Sequence, residues 1–243
     1  MRTLTFANRC TKEILRDPLN LFFGLGFPVV LLLLLSAIQA NVPVALFEIA
    51  HLAPGISVFG LSFLTLFSAT LIAKDRESAL LQRLYTTPMK AADYILGYML
   101  PMIPIALAQG AVCYLVAVML GLSVTLHLIA AICMILPIAV LYIALGLLCG
   151  SCLSSKQVGG ICGALLTNVS AWLSGTWFDL DLVGSTFRKL ANVLPFIHAV
   201  ELERAMVAGT WENILPHLLP VAGYALAITA IAIFLFLRQM KRQ

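Results

Sequence analysis

The chain has 243 residues, of which 61% are hydrophobic and only 11% are charged, and its mean hydropathy is +1.01. A soluble domain is about 45–50% apolar and about 25% charged, so a soluble core of this size could not bury so much apolar surface. Intrinsic disorder is excluded for the same reason. The composition therefore predicts a polytopic membrane protein, with the lipid bilayer and not nucleic acid as its surroundings.

The first element is a basic amphipathic segment over residues 1–18. One face of a helix here would be largely apolar, and the opposite face would carry the charges; the apolar face comprises Leu4, Phe6, Ala7, Cys10, Thr11 and Ile14. Pro18 breaks this helix before the apolar run that follows. We expect an amphipathic helix in the cytoplasmic membrane interface, with a solvated basic tail as the alternative. Because the basic start is long, an uncleaved first span is expected in place of a signal peptide.

Six stretches without charged residues at their centres predict six transmembrane helices in an all-α fold. A charged residue at the centre of a span costs about 2.5–3.5 kcal/mol on insertion scales, so charge-free stretches mark the spans. The predicted spans are residues 19–40, 53–73, 94–120, 128–150, 157–177 and 214–237. Pro101 and Pro104 predict a kink in the third span.

The basic residues predict the orientation. Twelve of the 15 Lys and Arg residues fall in the N-terminal tail, the segment after span two, the loop after span four and the C-terminal tail. Only Arg188, Lys189 and Arg204 fall on the other side. By the positive-inside rule both termini should be cytoplasmic, in a multi-pass protein of the plasma (inner) membrane, and we expect a bacterial source.

Two segments between the spans carry further information. Residues 74–90, KDRESALLQRLYTTPMK, are dense in charge and could form a short amphipathic helix that ends before Pro88. Such a helix would suit docking of a soluble partner, or it could only anchor a loop at the membrane interface. Residues 178–212 are too long and too apolar for a simple loop, and they contain two short helical patterns divided at Pro195. This pattern predicts an outer helical hairpin that dips partly into the membrane.

The sequence contains no pattern for chemistry of its own. No G-x-x-x-x-G-K-[ST] phosphate-binding pattern occurs, so ATP hydrolysis by that mechanism would need a partner chain. The predicted span centres lack the ionisable residue that ion-coupled carriers usually place there. The four histidines lack ligand-like spacing, and the Cys149/Cys152 pair has no second pair or nearby histidine. We therefore expect no catalytic residue, no metal and no cofactor in this chain.

Two motifs, in order among the predicted spans, resemble those of the membrane subunit of type-2 ABC exporters. The first motif comprises Arg76, Glu77, Arg83, Leu84, Thr87, Pro88 and, further on, Gly97. The second comprises Leu173, Ser174, Gly175, Phe178, Pro195, His198, Ala199 and Arg204. The resemblance covers essentially the whole chain. It departs from the family at Leu194-Pro195, where relatives often have Asn-Pro.

The resemblance implies a partner. Residues 74–90 would be the coupling helix, which docks into a groove of a separate ABC ATP-binding subunit that holds ATP and Mg. The implied docking residues are Lys74, Arg76, Glu77, Leu80, Arg83, Leu84, Thr87 and Pro88. Two ATPase subunits would pair with two permeases, either two copies of this chain or this chain and a homologous permease.

The resemblance also implies a transport path. Spans two and five would line it at the dimer interface, and their polar residues Thr65, Ser68 and Asn168, with Trp172, are its candidates; each could equally be a helix-packing group. The outer hairpin would form the external gate, with candidates Ser174, Gly175, Phe178, Pro195, His198 and Arg204. Because the path has few polar groups, the hypothesis is an amphipathic or lipid-like cargo, such as a drug, antibiotic, lipid or glycolipid. A membrane scaffold or channel without ATP coupling is the alternative.

Overall fold

Ten helices of at least nine residues make up most of the regular structure in the described part of the chain, with three single 3-10 turns between them. The computed structural model describes residues 2–42, 44–78, 80, 89 and 91–240. In chain order the helices are α1 (Arg2–Leu15), α2 (Pro18–Asn41), α3 (Ile49–Glu77), α4 (Ala91–Met99), α5 (Met102–Met119), α6 (Leu126–Cys152), α7 (155–173), α8 (Ser185–Val193), α9 (Pro195–Ala208) and α10 (Ile214–Met240). No strand occurs in these residues, so the predicted all-α class is confirmed.

Five helical stretches are long and apolar enough to cross a membrane. Three of them are the single helices α2, α3 and α6. The fourth stretch is formed by α4 and α5 together, and the fifth by α10 with the turn before it. The break between α4 and α5 falls at Leu100 and Pro101, where a kink was predicted. The predicted span 157–177 corresponds to α7, which is helical but is not among the five. Lys156, Gln157 and Asn168 reduce the apolar character of α7.

The central element is α3, which packs most extensively against α6. Of its most apolar stretch 89% is buried, against 17% for α10 at the periphery. The α3–α6 contact is close because α6 presents glycines to α3. A Cβ added at Gly146 would lie 1.8 Å from Ser68 Oγ, and one at Gly150 would lie 2.7 Å from the carbonyl oxygen of Ala69. Small residues at such positions let two helix backbones approach each other.

The amphipathic pattern at the start of the chain forms α1, which lies against α4. Phe6 packs edge-on against Tyr94 and Tyr98, with ring centroids 5.8 and 5.0 Å apart. A Cβ at Gly97 would lie 2.3 Å from the ring of Phe6, so α4 needs a glycine there. Leu4, which the pattern assigned to the apolar face, is 67% exposed instead, because it lies outside the strip that meets α4.

Two short helices, α8 and α9, precede the last long helix. Leu194 has an extended backbone and separates α8 from α9. Pro195 is the first residue of α9, a position at which a backbone N–H would have no partner within the helix. Gly209 ends α9 in the left-handed conformation, with φ at 71°. The helix α9 packs against α3, α6 and α10, so it belongs to the core of the bundle.

Candidate functional site: two charged clusters at the ends of α3

Three consecutive charged residues end α3, and we call Asp75, Arg76 and Glu77 the α3 C-terminal cluster. The side chain of Asp75 is only 2% exposed. It accepts hydrogen bonds from both guanidinium nitrogens of Arg9 in α1, one of them at 2.6 Å, and from the Tyr98 hydroxyl in α4 at 2.8 Å. The pKa of Arg9 is raised, chiefly by the hydrogen bond to Asp75. Burial of this carboxylate is therefore matched by an ion pair and by hydrogen bonds.

The next two residues bind the facing ends of two other helices. The Arg76 guanidinium donates to the carbonyl oxygens of Ser151 and Leu153 at the end of α6. The last carbonyl oxygens of a helix have no N–H group further along the helix to bind. The helix dipole also makes a cation favourable at the C-terminal end of a helix. The Glu77 carboxylate accepts the backbone N–H of Ser155 at 2.8 Å, where α7 begins. The last turn of α3 thus holds α1, α4, α6 and α7 together.

The predicted docking residues fall into two groups. Lys74, Arg76 and Glu77 belong to the end of α3, and Leu80 is helical and half-buried. Lys74 is exposed, whereas Arg76 and Glu77 make the intramolecular bonds described above. The other four residues lie outside the described part of the chain; they are Arg83, Leu84, Thr87 and Pro88. Their docking role stays a prediction.

The two predicted path residues of α3 are buried between helices. The Thr65 hydroxyl donates to the carbonyl oxygen of Tyr142 in α6 at 2.7 Å. The Ser68 hydroxyl donates to the carbonyl oxygen of Leu64 within its own helix at 2.6 Å. Both side chains are fully buried within the single chain. They therefore lie in the contact between α3 and α6 and not on the surface of the described chain.

The two predicted path residues of α7 are exposed. The Asn168 amide donates to the carbonyl oxygen of Ala164 one turn earlier, at 2.7 Å, and Trp172 is 53% exposed. The other side of α7 is buried, and there the Ser170 hydroxyl lies 2.6 Å from the Tyr142 hydroxyl. The α7 face with Asn168 and Trp172 is thus left for a lipid, a substrate or a second subunit.

A second set of polar contacts lies at the N-terminal end of α3. We call it the hairpin cluster, and it comprises His51, Gly175, Glu201 and Arg204. The Arg204 guanidinium, from α9, donates to the carbonyl oxygens of His51 at 3.3 Å and Gly175 at 3.0 Å, and to the Glu201 carboxylate at 2.8 Å. Gly175 has φ at 67°, a conformation that favours glycine. These groups border a cavity of about 180 Å³. Burial lowers the pKa of Arg204, partly offset by Glu201.

The other predicted gate residues lie around this cluster. Ser174 is buried, and its hydroxyl bonds the carbonyl oxygen of Ala171 and the hydroxyl of Thr176, each at 2.8 Å. Phe178 packs on Phe187 of α8, with ring centroids 6.3 Å apart. Ser174 and Gly175 are thus brought close to Arg204, while Phe178 lies at the start of the hairpin.

The predicted gate residue His198 makes a separate contact with α10. Its Nδ1 lies 3.0 Å from Nδ1 of His217, and its Nε2 lies 2.9 Å from the carbonyl oxygen of Asn192. If Nε2 carries the proton for Asn192, Nδ1 must accept from His217. Pro195 is buried at the start of the same helix. These contacts fix α9 against α10.

Glu203 in α9 carries a buried carboxyl group that the sequence patterns did not predict as a site residue. It is fully buried, accepts the Tyr114 hydroxyl from α5 at 2.6 Å, and has no partner for its second oxygen in the described residues. Burial raises the pKa of Glu203 to about 8, although the bond from Tyr114 opposes this. A signal existed in the sequence, because Ala199, Val200 and Met206 lie at helical spacing from Glu203 and place it on an apolar face.

The clusters are suited to holding helices together and not to metal chemistry. In the part of the chain that the structure describes, no three His, Cys, Asp or Glu side chains converge as a metal site would require. The charged groups instead bind backbone carbonyls, N–H groups and each other across helix ends. Such contacts fix the relative positions of helices.

The fold and these clusters define a multi-pass α-helical membrane protein. A family model described as ABC-2 type transporter matches residues 1–207, most of the chain. The chain therefore belongs to the ABC-2 type transporter family and is an ABC type-2 permease, as the resemblance implied. Among curated proteins, none matches the chain.

Proposed function

We propose that this chain is the permease subunit of an ATP-driven exporter, powered by a separate ATP-binding subunit. The observation that carries the proposal is the α3 C-terminal cluster in a chain of the ABC-2 type transporter family. The segment that follows it would be the coupling helix. A displacement of that segment would act first on the last turn of α3, and from there on α1, α4, α6 and α7.

In the proposed arrangement α7 is the fifth of six spans, and both termini are cytoplasmic in the plasma membrane. The weak apolar character of α7 fits a span that faces a second permease subunit or a substrate path, since it exposes Asn168 and Trp172. The hairpin of α8 and α9 would then lie on the outer side and close the path. Its link to α3 through Arg204 would connect the gate to the same helix that ends in the α3 C-terminal cluster.

The proposed cargo is amphipathic or lipid-like, because the exposed part of α7 combines apolar side chains with few polar groups. Leu165 is 61% exposed beside Asn168 and Trp172. Export of an amphipathic dye from cells would test this. An Asn168→Asp variant should reduce export without loss of protein from the membrane. Unchanged export of every amphipathic compound tested would contradict the assignment of this face.

Affinity purification from native membrane tests the partner. The tagged full chain should bring down an ATP-binding protein at equal stoichiometry, and the preparation should hydrolyse ATP in a Mg-dependent way. Arg83→Ala should weaken this association, whereas Arg188→Ala, a charge change in α8, should leave it intact. Purification of the chain without any ATP-binding protein would favour the alternative, a scaffold or channel without ATP coupling.

A further inference from the structure

A wide cleft with a basic lining lies between α1, the start of α2 and the end of α3. Its volume is about 810 Å³. Thr5, Asn8 and Lys12 of α1 line one wall together with Arg16, which follows the end of α1, and Lys74 of α3 lines another wall. This wall is not the face of α1 that packs on α4. The cleft therefore remains open after α1 has buried its apolar face.

The carboxylates that border the cleft are already engaged. Glu13 pairs with Arg9 at 2.6 Å, and Asp17 accepts the backbone N–H groups of Leu19 and Asn20, at 3.1 and 3.3 Å, as the cap of α2. Arg9 in turn is held by Asp75. Neither Glu13 nor Asp17 forms an ion pair with Lys12, Arg16 or Lys74 among the described residues, and the four cations of the lining exceed its two carboxylates.

Three cations of the cleft remain without a partner. Among the residues that the structure describes, the side chains of Lys12, Arg16 and Lys74 make no hydrogen bond or ion pair with the chain. They come from two helices and converge on one cleft. Three uncompensated cations around a concave surface favour an anionic ligand.

Apolar side chains stand exposed next to these cations. Leu15 is 54% exposed, Leu19 66% and Phe22 50%, and the last two begin α2, the first helix that could cross the membrane. A ligand here would meet cations at one end and an apolar helix surface at the other. This combination matches an anionic headgroup with acyl chains, and it does not match a free anion or an acidic protein surface.

We propose that this cleft binds the headgroup of an anionic phospholipid, with its phosphate between Lys12, Arg16 and Lys74 and its acyl chains along α2. The proposal rests on the proposed topology only for the choice of leaflet, which would be the cytoplasmic one. A bound lipid would link α1 to the end of α3 next to the α3 C-terminal cluster. It would thereby make that cluster sensitive to the lipid composition of the membrane.

Native mass spectrometry of the full chain, purified in mild detergent, tests the site with phosphatidylglycerol and phosphatidylcholine as probes. The triple variant K12Q/R16Q/K74Q is compared with K156Q/K189Q/R238Q, which removes the same charge from exposed positions elsewhere. A Lys or Arg near an anionic lipid surface contributes on the order of fivefold in affinity, so the cleft variant should lose phosphatidylglycerol on the order of a hundredfold. The control should retain it, and phosphatidylcholine should bind weakly throughout.

Three results would overturn the proposal. Equal loss of phosphatidylglycerol in both triple variants would show a general charge effect. Displacement of the lipid by millimolar inorganic phosphate would show a free-anion site. Unchanged lipid retention in the cleft variant, together with loss of a co-purified ATP-binding protein, would assign the cations to a protein partner. The single variant K12Q, compared with K156Q, repeats the test with less risk to folding, and the lipid measurements themselves do not require an ATPase to be present.

Discussion

The two ends of α3 are joined to the rest of the chain in different ways. At its C-terminal end α3 supplies the side chains itself, and Asp75, Arg76 and Glu77 bind four other helices. At its N-terminal end α3 supplies only the carbonyl oxygen of His51, and the charged group comes from Arg204 in α9. The polar contacts at the C-terminal end of α3 thus depend on three side chains of α3 itself, whereas the polar link at the other end depends on one side chain of α9, Arg204.

The largest effect is expected at Asp75. An Asp75→Asn variant leaves Arg9 with only the half-exposed Glu13 as a carboxylate partner and removes the charged acceptor of Tyr98. Removal of one partner of a buried ion pair lowers the free energy of unfolding by about 3–5 kcal/mol. We expect the lower figure because the Arg9 side chain is 36% exposed. Thermal unfolding in detergent measures this. Glu13→Gln, which removes the half-exposed partner of the same arginine, should change stability by less than about 1 kcal/mol.

The second effect concerns pH and the buried Glu203. Because its pKa is raised to about 8 in the fold, the folded chain holds a proton that the unfolded chain loses above its usual pKa near 4.5. Stability is therefore full at low pH and falls as pH rises towards 8, by about 1.4 kcal/mol per pH unit. Melting temperatures at about pH 6 and about pH 8 measure this. Glu203→Gln should remove most of the dependence, and the same slope in both proteins would contradict the assignment.

A smaller effect is expected at the hairpin cluster. Arg204→Gln removes the donor to the carbonyl oxygens of the half-buried His51 and Gly175 and the cationic partner of Glu201, which costs about 1–3 kcal/mol. Hydrogen exchange should become faster in α9 and in the turn after α7, while α6 should stay protected. The matched control is Arg188→Gln, since Arg188 pairs with Asp181 at the surface. If the control exchanged as fast as the variant, the cluster would not be the link between hairpin and bundle.

The smallest effect is expected at Glu77, which is fully exposed to solvent. A Glu77→Gln variant weakens the bond to the Ser155 N–H, so the first turn of α7 should exchange its amide hydrogens faster. Global stability should stay the same. Lys156→Gln, in the same turn, lacks this contact and serves as the control. Protection unchanged in the variant would show that α7 is held by packing alone.

The sequence allowed the helices to be predicted better than the contacts between them. Charge-free runs and prolines such as Pro18 and Pro195 mark helix limits locally, so α1, the long apolar helices and the hairpin could be predicted. The sequence predicts six spans, whereas five helices of the described residues are long and apolar enough to cross a membrane, because polar residues lower the apolar character of α7. The burial of Asp75 depends on α1 and α4 meeting the end of α3, and no local pattern contains that information.

The predicted path residues also depend on contacts between helices. Their polar character could be read from the sequence, but their direction could not. Thr65 and Ser68 face α6, whose glycines let α3 approach closely. Asn168 and Trp172 lie on the exposed side of α7. The path function of all four stays a prediction.

The most direct test of the central claim uses ATP hydrolysis by the purified complex of this chain with its ATP-binding partner. The claim is that the α3 C-terminal cluster transmits movement from the docked partner to the helix bundle. An Arg76→Gln variant should keep the partner bound at wild-type stoichiometry but lose the effect of transported substrate on hydrolysis. Loss of the partner in parallel, or hydrolysis that responds to substrate as in the wild type, would contradict the claim.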